Sequence, residues 1–370
     1  QIRGLGTTFL AGLSDTQVAA LTTTQLGSLT TTNLSALDGT QAAALTTTQL
    51  RSLTTTQLGS LNATDVGEFT TAQIAALTTA QAQSLSSTQL AGLADTQIQA
   101  FTTTQIAALS TGQAAALTTA QVTALGTAQV AAIETADLAA LTTNQVRALG
   151  SDDVAALSTE QIVALTTAQA ASLTTAQVAG LSSTQLGAME SADLRALSSA
   201  ALRSLSADQL AGLGTNGIPL LSTAQIAAMS TAQIAALSTE SIDAFSSDQL
   251  RALGTAQVAA LTTAQLGALG TDDIALLSTG QLRGLDSADI ASLSTAQIAA
   301  LTTAQAASLT TTQLDGLGSA QLAAMETDDL RTLGTAALRS LDTAQLAGLG
   351  SAQLQALSTG QIAGLGTEQV

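Results

Sequence analysis

The chain repeats every eight residues from end to end, with no insertion or deletion to break the register. Leu293-Ser294-Thr295-Ala296-Gln297-Ile298-Ala299-Ala300 shows the unit most clearly, and its positions serve here as slots 1 to 8. Slot 1 recurs at Leu5, Leu13, Leu21 and every eighth residue to Leu365. It holds Leu in 39 of 46 copies, the rest being Phe69, Phe101, Ile133, Met189, Met229, Phe245 and Met325. Slot 6 is Ile, Leu or Val in 42 of 47 copies and Ala in the others. A period this strict points to a repeat architecture, in which one small unit is stacked on copies of itself.

The octad reads as a helix start. Slot 2 is Ser, Thr, Gly, Asp or Asn in 42 of 46 copies, the residue types preferred as helix N-caps. Slot 5, three residues on, is Gln in 34 of 47 copies and Asp in seven more. That spacing is a capping box, in which each side chain satisfies the other residue's backbone N–H. Slots 1 and 6 then bracket the cap with apolar side chains, as a hydrophobic staple does.

Charge is sorted the same way. All nine basic residues are Arg in slot 7: Arg3, Arg51, Arg147, Arg195, Arg203, Arg251, Arg283, Arg331 and Arg339. Of the 26 acidic residues, 23 fall in slots 2 to 5. A helix dipole favours anions in the first turn and cations in the last, so one short helix per octad accounts for both.

Two other folds compete. A continuous helix turns about 100° per residue, which would carry each successive Leu about 80° further round and leave no apolar stripe. A β-solenoid is the alternative, since an even period keeps each slot on one face of a strand. Slots 1 and 6 would then lie on opposite faces, and the Ala, Leu and Gln content favours helix. The expectation is an all-α solenoid of short helices. A helix of little more than a turn is unstable alone, so slots 1 and 6 must share a narrow core while small residues in slot 8 let successive helices approach closely. Arg-bearing copies fall on both parities, which disfavours a sixteen-residue unit.

Residues 1–370 are expected to form one continuous array of about 46 octads, cut in mid-repeat at Gln1 and Val370. Residues 213–220 are the irregular copy, with Asn216, Gly217 and Pro219 inside it. The net charge of −17, with no Lys, opposes nucleic-acid binding. Ser/Thr pairs interrupt every apolar run, so no segment reaches the roughly 20 residues of a membrane helix.

Catalysis has few residues to draw on. His, Cys, Lys and Tyr are absent, and with them the common general bases and nucleophiles. Paired carboxylates remain: Asp152-Asp153, Asp272-Asp273, and Glu326 with Asp328-Asp329. Calcium, which takes six to eight oxygen ligands, is the one cofactor they suggest. The competing account is that acids gather where the helix dipole favours them. Asp248 with Arg251 and Asp328 with Arg331 stand at i,i+3 and are expected to pair weakly.

Runs such as Leu117-Thr118-Thr119-Ala120-Gln121-Val122 and Leu221-Ser222-Thr223-Ala224-Gln225-Ile226 resemble the repeats of giant bacterial exoproteins described as heme-utilisation or adhesion proteins. That resemblance implies a secreted or cell-surface protein with an adhesive or matrix role. Heme ligation is not expected, because His, Cys and Tyr are missing and the three Met occupy core slots. The Leu-Thr-x-x-Gln-Val start is also similar to the first helix of transcription activator-like effector repeats. Those are longer and basic, so DNA reading is not carried over.

The function expected is therefore a structural segment of an extracellular fibre, adhesin stalk or matrix filament, without catalysis. Its partners would be neighbouring repeats, other copies of the chain, and the cell surface or matrix. The alternative is a ligand-binding face for ice, glycan or mineral, built from the Ser/Thr rows of slots 2 to 4.

Overall fold

The structure, a computed structural model, describes residues 6–367 and Gln369. Arg3 and Leu5 therefore lie outside the described residues. About 69% of the chain is helical, in 44 short α-helices, and no strand occurs among the described residues. The all-α solenoid of short helices is thus the fold, and the β-solenoid is excluded. The chain divides into two compact units, residues 1–197 and 198–370. Each is built from the same octad.

The α-helices begin at slot 3, where the capping argument places them, except in the irregular octad 213–220. In Thr119–Ala124, Thr118 at slot 2 is the N-cap, with extended backbone (φ −71°, ψ 159°). Its hydroxyl accepts from the Gln121 N–H at 3.1 Å, and Gln121 Oε1 accepts from the Thr118 N–H at 2.9 Å. Leu125, the next slot 1, ends the helix in extended conformation (φ −61°, ψ 139°). Two extended residues, slots 1 and 2, therefore separate one helix from the next. The reciprocal cap explains why each helix restarts: it satisfies two of the first-turn N–H groups that a helix otherwise leaves unpaired.

Slots 1, 5 and 6 face inward. Leu93, Leu125 and Leu157 at slot 1, and Leu90, Val122 and Val154 at slot 6, are buried, as are their counterparts in nearly every octad. Each helix packs chiefly against the helix three octads away, as Thr111–Ala116 does against Thr135–Ala140. Slot 8 is small for that reason, and the approach it permits joins helices three octads apart rather than successive ones. At Gly316 a methyl group would meet the Ser287 carbonyl oxygen at 2.6 Å, and at Gly348 the Ser319 side chain at 2.8 Å.

The irregular octad keeps its core but loses its cap. Gly214, at the N-cap slot, adopts φ 56°, ψ −165°, a region open only to glycine. Helical turns run through Ala207–Gly217 with a kink at Gly214, and Pro219 sits in the 3₁₀ turn Ile218–Leu220. Leu213, Ile218 and Leu221 remain buried in register. The departure is local, as expected where each unit depends only on its neighbours.

Candidate functional site: the slot 5 row

The residues that organise the interior are the slot 5 glutamines. Their Oε1 atoms cap their own helices, at 2.6 Å to the Thr70 N–H and 3.0 Å to the Asp38 N–H at the extremes. The other end of the same carboxamide crosses to the preceding coil. Gln121 Nε2 donates to the carbonyls of Leu90 (3.0 Å) and Leu93 (2.7 Å), 31 and 28 residues earlier. Gln297 does the same to Leu266 (2.9 Å) and Leu269 (2.8 Å), and Gln345 to Leu314 (3.0 Å) and Leu317 (2.7 Å).

The two acceptors sit at the end of the helix four octads back: the Leu90 carbonyl, which also accepts from the Leu93 N–H at 3.1 Å, and the carbonyl of Leu93 just beyond the helix Ser87–Ala91. One Gln side chain thus closes the start of one helix and the end of another. Packing joins helices three octads apart and the amide joins helices four apart, so a coil closes between three and four octads. The clasp is dry: Gln121 is 1% exposed and Gln169 1%. The signal available in the sequence was that slot 5 tolerates so little besides Gln, although Glu caps equally well. Only the carboxamide is acceptor and donor at once.

The acidic pairs singled out for calcium do not converge. Adjacent residues point about 100° apart on a helix, so slot 4 faces solvent while slot 5 turns inward. Asp152, Asp272, Glu326 and Asp328 are exposed. Asp153 and Asp273 cap their own helices, each Oδ2 accepting at 3.0 Å, from the Gly150 and Gly270 N–H. Asp329 is buried. Among the described residues no group of three acidic side chains surrounds a common position for a metal ion. Asp328 instead pairs with Arg331 at 3.1 Å, and Asp248 with Arg251 at 3.7 Å, both in solvent. Exposed pairs at this spacing contribute about 0.2 to 0.5 kcal/mol.

Carboxylates titrate according to slot. Burial pushes Asp65, Asp137, Asp289 and Asp329, all at slot 5, above the usual carboxylate range. Asp38 at slot 2 and Glu160 and Glu240 at slot 4 are held below it, foremost by backbone N–H donors. The interior also holds a small cavity lined by Ile106, Leu109, Ala114, Leu117 and Ile133, where Ala replaces the branched slot 6 residue. The Asp137 side chain lines the same cavity.

These features define a class: an α-solenoid whose repeating unit is a single capped helical turn and a half, wound with a row of bifunctional amides. Within that class the chain belongs to the ALTTAQ repeat family. The family model matches residues 1–31, 95–127, 130–167, 186–223, 220–247, 241–279, 266–303, 274–311 and 322–359, well over half of the sequence. No curated protein matches the chain. Among the described residues no helix is long and apolar enough to cross a membrane.

Proposed function

We propose that this chain is a structural segment of an extracellular bacterial fibre, adhesin stalk or matrix filament, in which the array supplies reach and stiffness and carries no catalysis. The observation behind this reading is the dual use of the slot 5 amide. Most inward polar groups are glutamines committed to holding one coil on the next, so the chemistry of the octad is spent on continuity. Each added octad brings its own cap, staple and clasp, and stability is then a sum over nearest-neighbour terms. The acidic, Lys-free surface keeps such an array soluble. Self-association and contact with the cell surface or matrix belong to this reading, with the resemblance to large exoproteins as their support.

The test is a length series. Chains with 16, 24 and 32 added octads of the Leu293–Ala300 type should lengthen by a constant increment per octad in electron micrographs. Dimensions growing as the cube root of mass would refute the spacer role. Immunogold labelling of the native protein at the cell surface would check the location, and purely intracellular label would refute it.

A second reading rests on the outward hydroxyls. Slot 2 hydroxyls are used in caps, but Thr119, Thr263 and Thr295 at slot 3 face solvent at regular spacing. Thermal hysteresis or a glycan-array signal from this chain would favour a binding face over a passive spacer.

A further inference from the structure

Three octads depart from the others in one concerted way. Glu occupies slot 2 only at Glu134, Glu190 and Glu326, and each is followed at slot 5 by Asp: Asp137, Asp193 and Asp329. Slot 1 of the same octads is Ile133, Met189 or Met325 rather than Leu. The capping box is missing from all three helices. Their aspartates are nonetheless buried, at 4%, 2% and 3% exposure. Asp193 Oδ1 and Asp329 Oδ2 have no hydrogen-bond partner.

The register gives these carboxylates a defined neighbourhood. At a Gln step the carbonyls 28 and 31 residues earlier accept from Nε2. For Asp137 those residues are Leu109 and Ile106, and for Asp329 they are Leu301 and Ile298. Ile106 and Ile298 already accept from the Leu109 and Leu301 N–H at 3.1 and 3.2 Å. An ionised carboxylate has no hydrogen to give, so it cannot supply these carbonyls with the hydrogen bond that Gln supplies.

Nothing cationic compensates Asp329. Its helix, Thr327–Thr332, packs against Thr303–Ser308 and Ser351–Ala356, and neither carries a charge. The coil partners Thr295–Ala299 and Thr359–Ala363 are uncharged, as is the preceding helix Ser319–Ala324, while the following helix carries Arg339. Beside it stand Glu326 and Asp328, and Arg331 is turned to Asp328 and to the Ala356 carbonyl, each at 3.1 Å. Asp137 sits on Thr135–Ala140, which packs against uncharged Thr111–Ala116 and against Thr159–Val163 bearing Glu160. The coil partners Thr103–Ala107 and Thr167–Ser172 and the preceding helix Thr127–Ala131 are uncharged, the following helix carries Arg147, and Glu134 is its own N-cap.

We propose that Asp137 and Asp329 are proton-operated clasps: ionised, they give no hydrogen bond to the slot 6 and slot 1 carbonyls of the preceding coil, and protonated, each supplies the O–H donor that Gln supplies elsewhere. Burial raises both carboxyls; Glu134 adds to this at Asp137, while at Asp329 the Thr303 hydroxyl opposes it and Glu326 and Asp328 reinforce it. The folded chain then binds these protons at higher pH than the unfolded chain does. Stability at these steps is gained as pH falls through the raised folded values and is complete below the ordinary carboxylate range.

The test is hydrogen exchange by mass spectrometry on the full chain at pH 7 and pH 5, corrected for intrinsic rates. Protection of peptides spanning 106–109 and 298–301 should rise between pH 7 and pH 5, towards the roughly fivefold gain that one net hydrogen bond supplies once protonation is complete. Peptides clasped by Gln, such as the one containing Leu90 and Leu93, should not change. In D137N/D329N, where a permanent amide donor replaces the carboxyl, protection should be high at both values. Protection that ignores pH in the wild-type chain, or a double variant that follows the wild-type pH response, would overturn the proposal. Infrared difference spectra of the unmodified chain give a check independent of any variant's folding. A buried protonated carboxyl band should grow between pH 7 and pH 5, and a spectrum without it would also overturn the proposal.

Discussion

Replacing Gln121 with Glu isolates the clasp from the cap. The two side chains have the same shape, and a Glu oxygen can still accept from the Thr118 N–H, which Gln121 Oε1 does at 2.9 Å. What disappears is the Nε2 donor to Leu90 and Leu93, and a carboxylate oxygen takes its place against two carbonyls. A buried acceptor left without its donor costs about 1 to 3 kcal/mol, and the net hydrogen bond lost adds about 1. With the site 1% exposed, solvent offers little relief, so the expected destabilisation at pH 7 is about 2 to 4 kcal/mol. Acid should recover part of it, because the protonated Glu regains a donor. The control is Gln17→Glu: Gln17 is exposed and its Oε1 caps Ser14 at 2.8 Å, so the same chemistry should cost less than about 1 kcal/mol. Urea unfolding followed by circular dichroism, with exchange protection of the Leu90–Leu93 peptide as the local readout, measures both. If Gln121→Glu and Gln17→Glu cost the same, the amide is only a cap and the reasoning fails.

Other outcomes follow from the packing. Gly316→Ala should destabilise by about 1 to 3 kcal/mol, since the methyl group falls 2.6 Å from the Ser287 carbonyl and one helix must shift. A neutral result in urea unfolding would show that the coils are not in close contact there. Ala114→Val should stabilise by about 0.5 to 1.5 kcal/mol by filling the cavity beside Leu117 and Ile133; a loss of stability would mean the space is already closed. Gly214→Ala should cost about 1 to 3 kcal/mol from backbone strain alone, measurable as a lowered urea midpoint. Across pH, Asp65, Asp137, Asp289 and Asp329 are raised, so they make the fold more stable as pH falls from neutrality towards the ordinary carboxylate range. Asp38, Glu160 and Glu240 are lowered, and what they contribute is lost only further into acid. The urea midpoint should therefore peak on the acid side of neutrality, and a monotonic decline from pH 7 to pH 4 would contradict these assignments.

Much of the slot logic was legible before the structure because it is local. The Thr118–Gln121 cap spans three residues, and Val122 follows Leu117 by five, so each helix start is written within one octad. The exposed pairs Asp328–Arg331 and Asp248–Arg251 were legible for the same reason. The inward turn of Asp153 and Asp329 was not drawn from the sequence, although it follows from their slot. From the sequence slot 5 reads only as a capping position, and its acids group with their slot 4 neighbours as calcium candidates. What hid its burial was that the partner carbonyls lie 28 and 31 residues away and carry no side-chain signature.

The sequence by itself determined the α-helical unit, its boundaries and its two apolar slots, because caps and staples are contacts between residues fewer than eight apart. The winding was decided only in three dimensions. With nearly identical octads, pairing with the third or the fourth neighbour leaves the same composition and the same period. The choice depends on the angle that two extended residues, such as Leu125 and Gly126, impose between one short helix and the next. That angle, accumulated over three to four octads, sets which backbone carbonyls the Gln amide can reach. The same side chain is therefore a cap in the sequence and a clasp in the fold.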